Sequence, residues 1–128
     1  MALTVAATRL IRVAEGTIWQ RWLALEAWPT WRPEIDASRW LPGLAPWALD
    51  SRFGVARDVP LPLIGTRRFE GVVRSVVEDQ LLVYELAPET APWFGPVLVE
   101  SVRLEPAPTG TSVQLRLSAH GVGPAVGA

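Results

Sequence analysis

From Glu15 to Leu25 the apolar residues Ile18, Trp19, Trp22, Leu23 and Leu25 return every three or four positions, which places them along one side of a helix. Gly16 weakens only its first turn. Ahead of it, residues 3–13 are rich in Val, Thr, Ile and Leu, contain no Gly or Pro, and predict a first strand. Pro29 and Pro33 interrupt the chain after this helix, so Ala27 to Ile35 is expected to form a second short helix or turn, with Pro29 tolerated near its start. Beyond Asp36 the pattern changes to extended segments, roughly 38–42, 51–57, 66–77, 81–87, 97–106 and 111–121, with turns at Glu78-Asp79 and from Pro106 to Gly110. The last segment alternates most clearly: Val113, Leu115, Leu117 and Ala119 share one face, and Ser112, Gln114, Arg116, Ser118 and His120 the other.

Strands that succeed one another without intervening helices imply an antiparallel meander, because parallel strands need long crossovers that this spacing does not supply. The expected fold class is therefore α+β: one strand, two short helices, then about six strands in a curved antiparallel sheet, all within a single domain spanning 1–128. Two short helices can cover only one end of such a sheet. Either a further helix is missing or its concave face remains partly open, and a concave apolar surface with aromatic edges is the usual setting of a small-molecule site.

Composition removes many function classes. Cysteine is absent, so disulfides, thiolate metal sites and cysteine nucleophiles are excluded. His120 is the one histidine and falls on the wet face of its strand; no metal site or cofactor is expected. The twelve basic residues are all arginine, balanced by thirteen acids to a net charge of −1, and they are dispersed from Arg9 to Arg116 rather than clustered as a phosphate-tracking surface requires. Nucleic acid is not an expected partner. No segment approaches the length of a membrane span, and Arg9 and Arg12 interrupt the apolar N-terminal stretch, so the expectation is a cytoplasmic protein without a signal peptide. No phosphate loop, nucleophile elbow or paired-histidine helix occurs.

The stretch Ile18-Trp19 through Glu26-Ala27-Trp28-Pro29-Thr30-Trp31-Arg32-Pro33-Glu34-Ile35 resembles the opening helices of the START / Bet v 1-like (SRPBCC) superfamily, especially its bacterial polyketide cyclase/dehydrase and lipid-transport group. Ser51-Arg52-Phe53, Gly65-Thr66-Arg67-Arg68-Phe69, Glu78-Asp79-Gln80-Leu81, and Glu105-Pro106 through Thr109-Gly110-Thr111 are similar to its later strands and last hairpin. The resemblance covers nearly the whole chain and implies a helix-grip fold. It is poorly specific for function, since the superfamily contains cyclases, aromatases and lipid carriers. The family's long C-terminal helix should begin after the last strand, where this chain offers only Gly121 to Ala128; it is expected to be absent or truncated here, or replaced by a second copy in a homodimer.

Seven tryptophans exceed what packing in a chain of this size requires. Trp19, Trp28 and Trp31 are read as locking the helical unit to the sheet. Trp40, Trp47 and Trp93 lie near loops and are candidates for the pocket mouth, with Trp22 as a further candidate ligand contact. On 97–106, Leu98, Val102 and Leu104 share parity with Glu100, so a carboxylate points toward the apolar face. Burial would raise its pKa and suit it to general acid or base work; the alternatives are a pair with an arginine or a rim position near solvent. Arg67 shares parity with Phe69, Val73 and Val77 and is the expected partner of Glu100 or anchor for a ligand oxygen. Ser75 and Tyr84 add candidate hydroxyl donors, and Phe53, Arg57, Leu115 and Leu117 complete the expected inward lining. Arg68, Glu70 and Arg74 alternate outward as a solvated charge ladder.

The leading expectation is a polyketide cyclase/dehydrase-like protein that binds a hydrophobic small molecule, with Arg67 and Glu100 as polar anchors or acid/base groups. Competing with it are a non-enzymatic carrier of a lipid, quinone or isoprenoid, and a protein-interaction module using the uncovered sheet face. An Arg67–Glu100 pair inside a closed cavity would favour chemistry, a charge-free cavity carriage, and a sheet face buried by a second copy interaction.

Overall fold

The computed structural model describes residues 3–60, 67–89 and 97–120. The elements run β1 (Leu3–Ile11), α1 (Glu15–Leu23), a 3-10 helix (Leu25–Thr30), β2 (Ile35–Trp40), β3 (Arg52–Arg57), β4 (Arg68–Val77), β5 (Leu81–Pro88), β6 (Val97–Ala107) and β7 (Gly110–His120). The seven strands form one antiparallel sheet in the order β1-β7-β6-β5-β4-β3-β2. Each of β2 to β7 pairs with its neighbour in sequence, and β1 closes the far side against β7, with Leu3 opposite Ala119 and Ile11 opposite Thr111.

The helical unit stops where covalent chemistry requires. Continuing α1 past Leu25 would need an N–H at residue 29 to reach the Leu25 carbonyl, and Pro29 has none. The chain instead breaks at Ala24 and tightens into the 3-10 turn. That turn ends before Pro33, which biases Arg32 away from helix, so the expected helix or turn over 27–35 is shorter than its range and Ile35 already pairs with Arg57 at the start of β2. Ile18, Trp19 and Trp22 form the buried stripe of α1, which packs against β6 while the 3-10 helix packs against β2.

Alternation puts Phe53 and Val55, Phe69 and Val73, Leu82, Tyr84 and Leu86, and Leu98, Val102 and Leu104 in one core with Trp22, Leu25 and Trp28. Phe53 lies directly across Gly71: a Cβ at residue 71 would sit 2.2 Å from Cζ of Phe53, so the ring occupies the space a side chain would need. A bulge between Val73 and Ser75 then reverses the parity of β4. Val76, not Ser75, packs on the core beyond it, and Val77 is 41% exposed, against the inward placement that a simple count from Phe69 implies. The outward ladder forms as expected, with Arg74 bound to Glu85 at 2.8 Å and to Asp50 at 3.0 Å, and Arg52 to Glu70. His120 is exposed. The expected C-terminal departure falls on 121–128, outside the described residues. Among the described residues no helix is long and apolar enough to cross a membrane.

Candidate functional site

Glu100 stands in the middle of β6 with its side chain wholly buried, opposite Tyr84 of β5. Three donors converge on it. The Tyr84 hydroxyl donates to Oε1; Arg32 Nη2 donates to Oε1 at 3.0 Å and to Oε2 at 3.2 Å; Arg57 Nη1 donates to Oε2 at 2.8 Å. Arg57 reaches it because strand parity turns residues 53, 55 and 57 inward together. Arg32 comes from the connection after the 3-10 helix, where its guanidinium carbon lies 4.6 Å from the ring centres of both Trp22 and Trp28, a doubled cation–π contact that replaces lost hydration. Its Nε and Nη2 also bind Glu34 Oε2 at 3.2 and 3.0 Å. Arg57 Nε donates to the Asp58 carbonyl at 3.2 Å.

These contacts decide protonation. Burial by itself would push the Glu100 carboxyl up, but the positive charges of Arg32 and then Arg57, with the Tyr84 hydroxyl, outweigh it and hold the carboxyl at about 2. Burial, followed by the Glu100 charge, pushes the Tyr84 phenol well above its ordinary 10.0. Burial works against the charged form of Arg32, yet Glu100, Tyr84 and Glu34 overcome it and raise its pKa. Glu100 is thus a fixed anion, and the expectation that burial would lift it into the acid/base range is corrected: the cations at its side win.

Above this cluster lies a cavity of about 280 Å³. Its apolar walls are Val5 and Ala7 of β1, Leu115 and Leu117 of β7, and Val59 and Pro60 just past β3. Arg57 and Glu100, with side chains 4% and 1% exposed, form its floor, and Glu34 and Asp58 contribute to the rim. Residues from opposite ends of the strand order meet here because the sheet curls. A second depression of about 360 Å³ involves Arg39, Arg68, Glu70 and Glu89 around β2 to β4, on the charged face that the core leaves outward. Among the described residues no group of three or more His, Asp or Glu side chains is placed to hold a metal ion.

Neither a protein-family model nor a curated protein matches the sequence. Solved structures do. Ara h 8.0201, a Bet v 1 allergen, superposes with a TM-score of 0.69 at 14% identity, over 97% of this chain and 81% of that one. A START superfamily protein from Mycobacterium smegmatis gives 0.69 at 19% identity, over 94% and 79%. The di-domain aromatase/cyclase StfQ of the steffimycin biosynthetic pathway gives 0.70 at 12% identity, over 97% of this chain and 38% of that chain. The fold is START / Bet v 1-like. At these identities the likeness is one of architecture, and what the helix-grip scaffold does in this chain rests on its own side chains.

Within that scaffold, Arg57, Glu100, Leu115 and Leu117 line the cavity. Trp22, Phe53, Phe69, Val73, Tyr84, Leu98 and Val102 are buried in the core beneath it rather than on its walls. Trp40 and Trp47 are half-buried and stack edge to face with each other, 5.0 Å between centres, in a cluster with Trp28, Phe53 and Tyr84. Trp47 holds a positive φ of 62° while its Nε1 donates to the Leu23 carbonyl at 2.7 Å, which ties the β2–β3 connection to the helical unit. These two rings therefore pack instead of edging the cavity. Ser75 faces away from the core past the bulge. Trp93 falls outside the described residues.

Arg67 is the clearest correction. It stands one residue before β4, with its side chain 52% exposed, and binds Asp36 and, at 2.9 Å, Asp58. Hydrogen bonds to those carboxylates, Asp36 first, raise its pKa. The expected Arg67–Glu100 pair does not form, because strand parity does not extend to a residue outside the ladder and two exposed acids claim the guanidinium. Arg32 and Arg57 take its place. Arg32, Glu34, Asp58 and the β1 pair Val5 and Ala7 were not expected at the site. For Arg32 a signal existed: a cation set among Trp22, Trp28 and Trp31.

Proposed function

We propose that the protein binds a hydrophobic, oxygen-bearing small molecule of the polyketide type in the cavity between β1, β7 and the end of β3. The supporting observation is an apolar-walled space with one polar end, where the Arg57–Glu100 pair can orient a carbonyl or hydroxyl group. A chain that alternates carbonyls with methylenes suits such a site better than a plain hydrocarbon. The structural likeness to an aromatase/cyclase points the same way. Any acceleration would come from holding a reactive chain in one conformation. A carboxylate held near 2 is a poor proton donor and a weak base at neutral pH, so Glu100 acts as an anchor.

The test uses N-phenyl-1-naphthylamine, a neutral fluorescent probe, with the wild type and Leu115→Trp, which fills the cavity from a half-buried wall position. Saturable binding by the wild type, weakened at least about tenfold in the variant with an unchanged melting temperature, is the expected result. Equal binding by both, or none by the wild type, overturns the reading.

A further inference from the structure

On the footing that the cavity holds a hydrophobic molecule as proposed above, we infer that it selects neutral ligands and rejects free carboxylates, because every arginine at or beneath it is already bound by an acid. Arg32 is held by Glu34 and Glu100, Arg57 by Glu100, and Arg67 beside the rim by Asp36 and Asp58. Three arginines thus meet four carboxylates. Arg57, the arginine that lines the cavity, has its charge met by Glu100, and Arg32, whose Nη1 is buried without a hydrogen-bond partner, is not part of the lining. Residues 1–2, 61–66, 90–96 and 121–128 contain no Arg, Lys, Asp, Glu or His, so these segments add no charged side chain to the count. Arg9 shares β1 with the cavity wall but is exposed and stands beyond Ala7, outside the lining.

A carboxylate pushed to the floor would lose its hydration and meet Glu100, Glu34 and Asp58 without a free partner, whereas an ester, ketone or lactone oxygen needs only one donated hydrogen bond. The ligand class is therefore a neutral acyl derivative or cyclised ketone. Free fatty acids and other anionic amphiphiles are excluded from it.

Competition against N-phenyl-1-naphthylamine with methyl decanoate and decanoic acid tests this with matched chains. Near neutral pH the ester should displace the probe at least about tenfold more effectively than the acid. Lowering the pH to about 4.5 should narrow that ratio, as the ligand acid becomes neutral while Glu100 remains ionised. Glu34→Gln, which releases one of the carboxylates holding Arg32, should shift the ratio several-fold toward the acid. Decanoic acid competing as well as the ester at neutral pH overturns the selectivity and leaves the cavity reading standing. Failure of both ligands and of the probe overturns the cavity reading, and the selectivity with it.

Discussion

Replacing Glu100 by Gln tests the buried cluster at its centre. All three groups around the carboxylate are donors: Tyr84, Arg32 and Arg57. A glutamine keeps one acceptor oxygen but must turn its NH2 toward another donor, and two guanidinium groups lose their buried counter-charge. Breaking a buried ion pair from one side costs about 3–5 kcal/mol, a large share of the roughly 5–15 kcal/mol that holds a domain of this kind together. The pH dependence makes the claim specific. In the folded protein the carboxyl titrates at about 2, against 4.5 when free. At about 1.4 kcal/mol per pH unit, that gap is worth roughly 3 kcal/mol. Because the folded pKa is depressed, this stabilisation is fully present above about pH 4.5 and is lost as the pH falls toward 2. Roughly two-thirds of it is gone by pH ~3. Urea unfolding of wild type and Glu100→Gln, monitored by tryptophan fluorescence at pH ~7, ~5 and ~3, should show a gap that narrows by about 2 kcal/mol across the series. A gap that stays constant would show that Glu100 is not held as an anion by Arg32 and Arg57. Should the variant fail to fold at neutral pH, the wild-type carboxyl signal tracked by NMR gives the same answer: a midpoint at or above 4.5 refutes the reasoning.

Tyr84 is the one tyrosine in the chain, so its phenolate absorbance can be read without ambiguity. With its pKa raised by burial and by Glu100, the folded protein should show less tyrosinate at pH ~11 than a free phenol, about nine-tenths of which is ionised there. Stability should fall above about pH 10 as only the unfolded form ionises; a midpoint near 10 with native circular dichroism would contradict this. Arg67→Ala removes two exposed ion pairs and should leave the melting temperature unchanged within about 2 °C by calorimetry. A larger drop would show that the rim pairs hold the ends of β2, β3 and β4 together.

Period-two alternation was enough to find Glu100, because a ladder fixes which side of a strand each residue faces and Leu98, Val102 and Leu104 mark that side as apolar. The same logic placed Arg57 correctly. It failed at Arg67, one residue outside the ladder, and at Ser75 and Val77 beyond the bulge, where an extra residue reverses the count. Arg32 was out of its reach altogether: the connection after the 3-10 helix has no period, and only the tertiary approach of Trp22 and Trp28 makes its burial tolerable. The protonation of Glu100 depended on that same unseen contact. Parity reveals that a carboxylate is buried; which cations reach it is decided by segments distant in sequence, here 68 and 43 residues away. The cavity walls from β1 escaped for a related reason, since Val5 and Ala7 become lining only when the sheet curls.

A buried cluster of two arginines, a glutamate and a tyrosine is an expensive way to fill a core, and this bears on why it is there. Replacing such a set together by apolar residues of similar volume is commonly neutral or stabilising by about 1–4 kcal/mol, because desolvation of the charges disappears along with their attraction. Arg32→Met, Arg57→Met, Glu100→Leu and Tyr84→Phe made together leave no buried charge behind, and a methionine thioether between Trp22 and Trp28 keeps a favourable contact with both rings. Glu34, with its side chain 30% exposed, can return to water. The combined variant should unfold at urea concentrations no lower than the wild type, yet bind methyl decanoate no better than a hydrocarbon of equal length. Equal stability with lost oxygen preference would assign the cluster to ligand recognition. A combined variant much less stable than the wild type would instead make the charges part of the scaffold, and the polar floor of the cavity a by-product of holding α1 and the 3-10 turn against the sheet.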